Sequence, residues 1–321
     1  MVTSPLMRIV FCGTPEFAVP SLRRLAAHPD FSVEAVITQP DRPRGRGQHL
    51  SNCPVKEAAL ELGLSVYQPV TIKSDSSQEF LRQIAPDAVV IIAYGQIIPA
   101  PLLPIPRLGW INVHGSLLPK YRGAAPIHWA IANGETRTGI TTMQIDAGMD
   151  TGPILQQQEL EIGPDETSPE LYARMSEAGA SLVVNSLLKL ERGEIAPTPQ
   201  DSANASNAPI LKKEDGRIDW ARTAPQIYNR LRGFSPWPGA FTTFRGQTCH
   251  VWGRPEQSGV PAENVTPGEI VFAGKEMIVA CGQHTCLHVE FVQLEGRKRI
   301  SALEFANGAR VTPGERFGEI A

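Results

Sequence analysis

An amide, an imidazole and a carboxylate stand in this sequence at positions that suit acyl transfer to an amine. Asn112 and His114 lie in Ile111-Asn112-Val113-His114-Gly115-Ser116-Leu117-Leu118-Pro119, and Asp150 follows in Gly148-Met149-Asp150-Thr151-Gly152. An amide N–H is neutral, directional and always available to an oxyanion, and loss of one such donor typically costs on the order of 10²–10³ in rate. An imidazole takes a proton or, when charged, assists the oxyanion, and residue type alone leaves both roles open. A neighbouring carboxylate orients the ring and favours its charged form. The logic is that of a hydrolytic triad without its serine. It needs no metal and no serine or cysteine nucleophile. Each residue also has a structural reading: a hydrogen-bonded histidine, a strand-end asparagine, an aspartate capping the turn into Thr151-Gly152-Pro153. In isolation those readings win, and the combination favours chemistry. Asp146 competes with Asp150 as the carboxylate.

Positioning these groups requires a strand end. Apolar and polar residues alternate in Trp110-Ile111-Asn112-Val113-His114, so Asn112 and His114 share one face of a strand. Gly115 then frees the chain to turn. Met7–Cys12, Val33–Thr38 and Ala88–Ala93 read as further strands. A helix carries Phe17, Leu22 and Leu25 inward, with Thr14 as its expected cap ahead of Pro15, and a second helix spans Val55–Leu62. Continuous apolar strands separated by helices imply a parallel sheet covered on both faces. The expected class is therefore α/β, a Rossmann-like doubly wound, mostly parallel sheet. In such sheets ligands lie beyond the carboxyl ends of the strands, which is where His114 falls. Gly13-Thr14-Pro15-Glu16-Phe17 is no G-x-G-x-x-G fingerprint, which disfavours a nicotinamide cofactor.

A long helix is expected from Ser168 to Arg192, with Leu171, Met175, Ala178, Leu182 and Leu187 as its inward stripe. Residues 196–207 are rich in Pro, Ser, Asn and Ala and have no period, so they read as a linker between a domain at 1–195 and a second at 208–321. The second domain shows a helix at Ala224–Arg232, then short strands punctuated by glycine and proline, as in a small β-barrel. Cys281 and Cys286 flank a Gly282-Gln283-His284-Thr285 turn between two strands. With His284 and His288 nearby they raise the question of a metal, but no second ligand pair accompanies them.

At 321 residues and 42% apolar content the chain buries a large core, and its length favours two domains. No apolar run reaches the roughly 18 residues of a membrane span, and the amino-terminal residues lack a charged stretch followed by a long apolar core. A cytoplasmic protein is expected. The odd number and scattered spacing of five cysteines argue against a disulfide framework. From Pro209 onward 14 basic residues face 12 acidic, a net of +2 against −5 before it. That excess alone establishes no nucleic-acid binding.

The wording His114-Gly115-Ser116-Leu117-Leu118-Pro119, followed by Gly123-Ala124-Ala125-Pro126-Ile127, resembles the folate-dependent formyltransferases, over Arg8 to about Phe317. The resemblance implies Asn112, His114 and Asp150 as the catalytic set, the last through the motif Gly148-Met149-Asp150-Thr151-Gly152. It implies 10-formyltetrahydrofolate as formyl donor and the α-amino group of methionine on charged initiator tRNA as acceptor. Ser116, Leu117, Leu118 and Pro119 would form one wall of the folate site, with Tyr94 and Gly95 close by. Lys120-Tyr121-Arg122-Gly123 would cover the site or touch acceptor phosphates. Pro40–His49 carries Arg42, Arg44 and Arg46 against one acid, and its glycines and proline suggest an irregular basic arm. The resemblance assigns that arm to the tRNA acceptor stem, with Arg46 at the contacting position, and makes the second domain an OB-like barrel. Lys212, Lys213, Arg245 and the run Arg297-Lys298-Arg299 would add backbone contacts there. The expected enzyme is a monomer. An amino sugar nucleotide is the nearest alternative acceptor. A purine-pathway formyltransferase, a formyltetrahydrofolate hydrolase and a non-catalytic RNA-binding protein of the same fold are further from the motifs.

Overall fold

The computed structural model describes residues 6–44, 49–257, 265–273 and 276–318. The chain divides into two compact units. The first comprises Met1–Pro126, Arg137–Glu161 and Leu171–Pro209, and the second Ile127–Thr136, Ile162–Glu170 and Ile210–Ala321.

In the first unit the chain runs through β1 (Met7–Gly13), α1 (Val19–Ala27), β2 (Phe31–Ile37), β3 (Arg42–Arg44), β4 (His49–Ser51), α2 (Pro54–Glu61), β5 (Val66–Tyr67), α3 (Asp75–Ile84), β6 (Ala88–Ile92) and β7 (Trp110–His114). Beyond α4 (Pro126–Ala132), which belongs to the second unit from Ile127 on, come β8 (Arg137–Gln144), β9 (Ile154–Glu161) and α5 (Ser168–Glu191), the last in the first unit from Leu171 on. Seven strands form one sheet in the order β5-β2-β1-β6-β7-β8-β9. The first five are parallel and the last two antiparallel, so the sheet is mixed. Both faces are covered, as the apolar strands require. Val10, Cys12, Val89 and Ile91 enter one cluster with Leu81 and Trp110. The alternate residues Ile9, Phe11, Val90 and Ile92 are fully buried as well. Parallel pairing brings the carboxyl ends of β1, β2, β6 and β7 to one edge of the sheet.

Local expectations survive with three corrections. Thr14 does not cap a helix: the neighbouring β6 brings the Tyr94 carbonyl beside it, and the Thr14 hydroxyl donates there at 3.3 Å. Pro15 leads instead into a short 3-10 turn, Glu16–Ala18. Ala178 is only half-buried, whereas Leu171, Met175, Leu182 and Leu187 are buried as their spacing demands. The basic arm is not wholly irregular, since Arg42 pairs with Ser51, Pro43 with Leu50 and Arg44 with His49 in a two-stranded ribbon. Both strands of such a ribbon are edges, where proline is tolerated.

The second unit contains α6 (Ala224–Gly233), β10 (Phe241–Phe244), β11 (Gln247–Pro255), β12 (Ile270–Ala273), β13 (Met277–Ala280), β14 (Cys286–Leu294), β15 (Ile300–Ser301) and α7 (Ala302–Ala309). Its strands make a separate antiparallel sheet, β10-β11-β14-β13-β12, with β15 on β14. No ladder of strands closes it among the described residues. Two single bridges, Phe244 with Phe317 and Glu269 with Arg316, hold the carboxyl-terminal segment beside it. The core is aromatic: Phe244 meets Phe305 at 5.2 Å and Phe317 at 5.4 Å between ring centres. Cys281 and Cys286 are buried on either side of the β13–β14 turn, and burial pushes the Cys281 thiol up to about 12. No helix among the described residues is long and apolar enough to cross a membrane.

Thr223 closes a capping box on α6 with Gln226. Thr223→Ala is expected to cost about 1 kcal/mol of stability, read as a lower urea midpoint with an unchanged slope.

Candidate active site

β7 ends at His114, and the chain folds back at once. Three hydrogen bonds centred on Thr141 of β8 hold the return. Its hydroxyl donates to the Ser116 carbonyl at 2.7 Å and accepts from the Leu118 N–H at 3.1 Å and from Gln157 at 2.9 Å. Gln157 also donates to the Leu118 carbonyl at 2.8 Å, and the Ser116 hydroxyl donates to the Lys120 carbonyl at 2.6 Å. The Leu118–Pro119 bond is cis. Held in this way, the segment delivers the Tyr121 carbonyl to His114, whose Nε2 lies 2.9 Å away.

That contact sets the tautomer. A carbonyl can only accept, so Nε2 carries the hydrogen and Nδ1 is the nitrogen left for chemistry. His114 is 6% exposed, and its Nδ1 faces Asp150 Oδ1 at 3.7 Å, too far for a direct hydrogen bond. Asn112, on the same face of β7, is half-buried, and its amide makes no hydrogen bond to any described residue. The geometry thus leaves a directed donor and an open proton acceptor on one strand end.

The carboxylate is fixed from two sides. Asp150 adopts φ of 52°, a left-handed conformation that aspartate visits more readily than most residues, and its Oδ2 accepts from the Gly123 N–H at 2.8 Å. Gly123 itself has φ of 119°, and a Cβ there would lie 2.6 Å from the Ala208 carbonyl oxygen. Asp146 is excluded from the same role by its own bonds. Its Oδ1 accepts from the Gly148 N–H at 3.0 Å and the Thr151 hydroxyl at 2.7 Å, which makes it the cap of the turn that carries Asp150.

The segment expected to be a linker supplies residues that sequence reasoning missed. Gln200 donates to the Asp150 carbonyl at 2.9 Å and the Gly152 carbonyl at 2.8 Å. Its oxygen accepts two bonds from Arg122, at 3.1 and 2.7 Å. Ser206 accepts from the Tyr121 N–H at 2.9 Å. Arg122 is therefore committed to this bracing. Nothing in the sequence around Gln200 distinguished it, because the partners that give it meaning are remote.

The other expected site residues divide. Ser116 and Leu118 are buried, at 0% and 3%, and turned into the loop's own packing, so they shape the wall while Leu117 and Pro119 remain half-exposed. Tyr94 is likewise core, at 2%, whereas Gly95 is exposed. Tyr94 and Gly95 border a cavity of about 770 Å³ with Thr14, Gln39, Thr71, Lys73 and Gln96, whereas residues 116–119 do not. The amides of that cavity are tied together. Gln39 donates to the Tyr94 carbonyl at 3.1 Å, and Gln96 accepts from the Ile72 N–H at 2.8 Å. Asp41 on its rim pairs with Lys56 and accepts from Gln68, bonds that hold its carboxyl below the usual range.

Of the basic residues, Lys212 and Lys213 are exposed. Arg245 is matched within its own unit: it pairs with Glu315 at 2.6 Å, donates to the Ala309 carbonyl at 2.9 Å and lies over the Phe244 ring. That occupancy discounts the expectation that it is a free phosphate contact. Arg297 and Lys298 are exposed, and Arg299 stacks on Phe291 and Trp252 at 4.1 and 4.4 Å. Arg46 lies outside the described residues, and Arg42 and Arg44 are described in their backbone alone.

Comparison with known proteins meets this geometry. The formyl transferase family model matches residues 7–187, and the model of the formyl transferase C-terminal domain matches residues 210–310. A methionyl-tRNA formyltransferase of Solibacter usitatus is 54% identical over 316 residues, covering 98% of this chain and 99% of the relative. One of Koribacter versatilis is 52% identical, covering 98% and 100%. Among solved structures, an N-formyltransferase from Helicobacter canadensis in complex with folinic acid and dTDP-3-aminofucose aligns with a TM-score of 0.62 at 18% identity, covering 88% of this chain and 98% of that one.

Gln200→Ala is expected to leave the carbonyls of Asp150 and Gly152 and the guanidinium of Arg122 without their shared partner. The expected loss of stability is about 1 kcal/mol. Urea unfolding measures it, and faster amide exchange in the 146–152 turn would locate it.

Proposed function

The chain belongs to the formyl transferase family, and from that membership we propose that it moves the formyl group of 10-formyltetrahydrofolate to the α-amino group of methionine on charged initiator tRNA. The single observation that carries the acceptor is full-length identity above half with a relative of that name. The donor is consumed as a substrate and supplies the formyl carbon.

The catalytic set of this reading is Asn112, His114 and Asp150. An α-amino group has a pKa of about 7.7–8.0, so an appreciable fraction is neutral and nucleophilic near neutral pH. Attack puts negative charge on the formyl oxygen and positive charge on the attacking nitrogen. The unengaged Asn112 amide supports its assignment as donor to that oxygen. The tautomer that Tyr121 imposes supports Nδ1 of His114 as the proton acceptor, with Asp150 stabilising the imidazolium that forms. The same nitrogen can return the proton to the departing folate amine as the carbon–nitrogen bond breaks.

In this reading residues 1–195 form the catalytic domain, 196–207 the connection and 208–321 an OB-like, tRNA-contacting domain. Leu117, Pro119 and the backbone of Tyr94 and Gly95 line the folate side. Arg42, Arg44 and Arg46 meet the acceptor stem, and Lys212 and Lys213 add backbone contacts. The enzyme acts as a cytoplasmic monomer.

The test is formyl transfer from 10-formyltetrahydrofolate to charged initiator tRNA, beside an amino sugar nucleotide and a control without acceptor. Formylmethionyl-tRNA as the sole product is expected. Turnover with the sugar alone would overturn the acceptor, and tRNA binding without turnover would leave only a binding role. Asn112→Ala should lower kcat by about 10²–10³. His114→Ala is expected to lower kcat by about 10²–10⁴, as loss of a general base does; wild-type turnover in either variant would sink its assignment.

A further inference from the structure

The cavity bordered by Tyr94 and Gly95 is not used by the three catalytic residues, yet it opens on the same edge of the sheet. Its walls come from the carboxyl ends of β1, β2 and β6, the three strands that follow β7 along the sheet. At about 4.8 Å per strand, those walls lie roughly 5 to 15 Å from the end of β7. At about 770 Å³ the cavity falls within the roughly 300–1,000 Å³ of small-molecule sites.

Its charge is specific. One carboxylate and one ammonium line it, those of Asp41 and Lys73. Asp41 is matched by Lys56. Lys73 is exposed and has no ion pair among the described residues, which leaves the cavity with one uncompensated cation. Beside it, the Thr71 hydroxyl accepts from the Lys73 N–H at 3.3 Å and keeps its own hydrogen for another acceptor. An ammonium and a free hydroxyl donor call for an anion with several oxygens. The lip is apolar: Val70 is 88% and Ile97 70% exposed, surface that a flat ring would cover. The β3–β4 ribbon leaves from Asp41 and returns at Ser51, and both residues line the cavity. The opening is thus continuous with the ribbon proposed to meet the acceptor stem.

We propose that this cavity receives the terminal nucleotide of the acceptor strand, with Lys73 and Thr71 holding its phosphate, Val70 and Ile97 covering its base, and Tyr94 and Gly95 forming the border it shares with the folate. A ribose ester anchored there by its phosphate reaches toward β7 with its amine foremost. The inference rests on the proposed tRNA acceptor and names the residues that fix its end.

The test is binding of uncharged initiator tRNA, intact or lacking its terminal nucleotide, by wild type, Lys73→Ala and Lys73→Arg across a salt series. Lys73→Ala should weaken intact tRNA about tenfold, the worth of one charge-assisted hydrogen bond. It should also lower the logarithmic salt slope by about 0.7. The truncated tRNA should show no effect of the substitution, and Lys73→Arg should restore binding. An equal effect on intact and truncated tRNA would overturn the proposal, as would no effect on either. A rise confined to the KM of the formyl donor would reassign Lys73 to the folate's carboxylates. Each of these outcomes leaves the acceptor reading standing. Failure of the wild type to bind tRNA would remove both.

Discussion

The hydrogen bond from His114 Nε2 to the Tyr121 carbonyl is the constraint on which the site depends. It turns one ring nitrogen into a fixed donor and leaves the other facing Asp150. The bond forms only if the chain reverses within a few residues of the strand end and stays reversed. Thr141 and Gln157, on the two antiparallel strands, hold the first half of that return, and Ser206 holds the second. The imidazole is thus oriented by backbone, which is less mobile than a side-chain partner. The Asp150 carboxylate is held through Oδ2 by the Gly123 N–H, and its Oδ1 is the oxygen that faces the ring.

The sheet and its loops serve the same end. The parallel part of the sheet gathers the ends of β1, β2, β6 and β7 on one edge, where a ligand can span them. Parallel strands cannot by themselves bring Asp150 back to that edge. The turn between β8 and β9 leaves the sheet beside the start of β7, where Ile111 pairs with Gln144, and Asp150 is held back toward His114 by its bonds to the Gly123 N–H and to Gln200. Asp146 caps the turn and Asp150 stands within it, so two similar acids have separate tasks set by what surrounds them.

The second unit has its own aromatic core and its own accounting of charge. Arg245 and Arg299 are held by an acid or by aromatic faces, whereas Lys212, Lys213, Arg297 and Lys298 project into solvent. Cationic residues that look alike in sequence therefore differ in availability. An arginine stacked on a ring or paired with a carboxylate would have to exchange that contact for a phosphate, whereas an exposed lysine exchanges only water.

Much of this was legible in the chain. Period-2 alternation marked β7 and the shared face of Asn112 and His114, and continuous apolar runs marked β1, β2 and β6, because strand geometry is a local property. The residue types proposed for catalysis were legible for the same reason, since chemistry depends on which functional groups are present. The tertiary structure alone decided which imidazole nitrogen is free, that Asp146 caps the turn on which Asp150 stands, that Ser116, Leu118 and Tyr94 are buried, and that Gln200 braces the Asp150 turn. It also decided that Lys73 is the cavity's unmatched cation, through Lys56 claiming Asp41. These facts rest on hydrogen bonds and ion pairs between residues far apart in sequence. Periodicity and residue type carry no record of such partners, because tertiary packing selects them from many chemically equivalent groups.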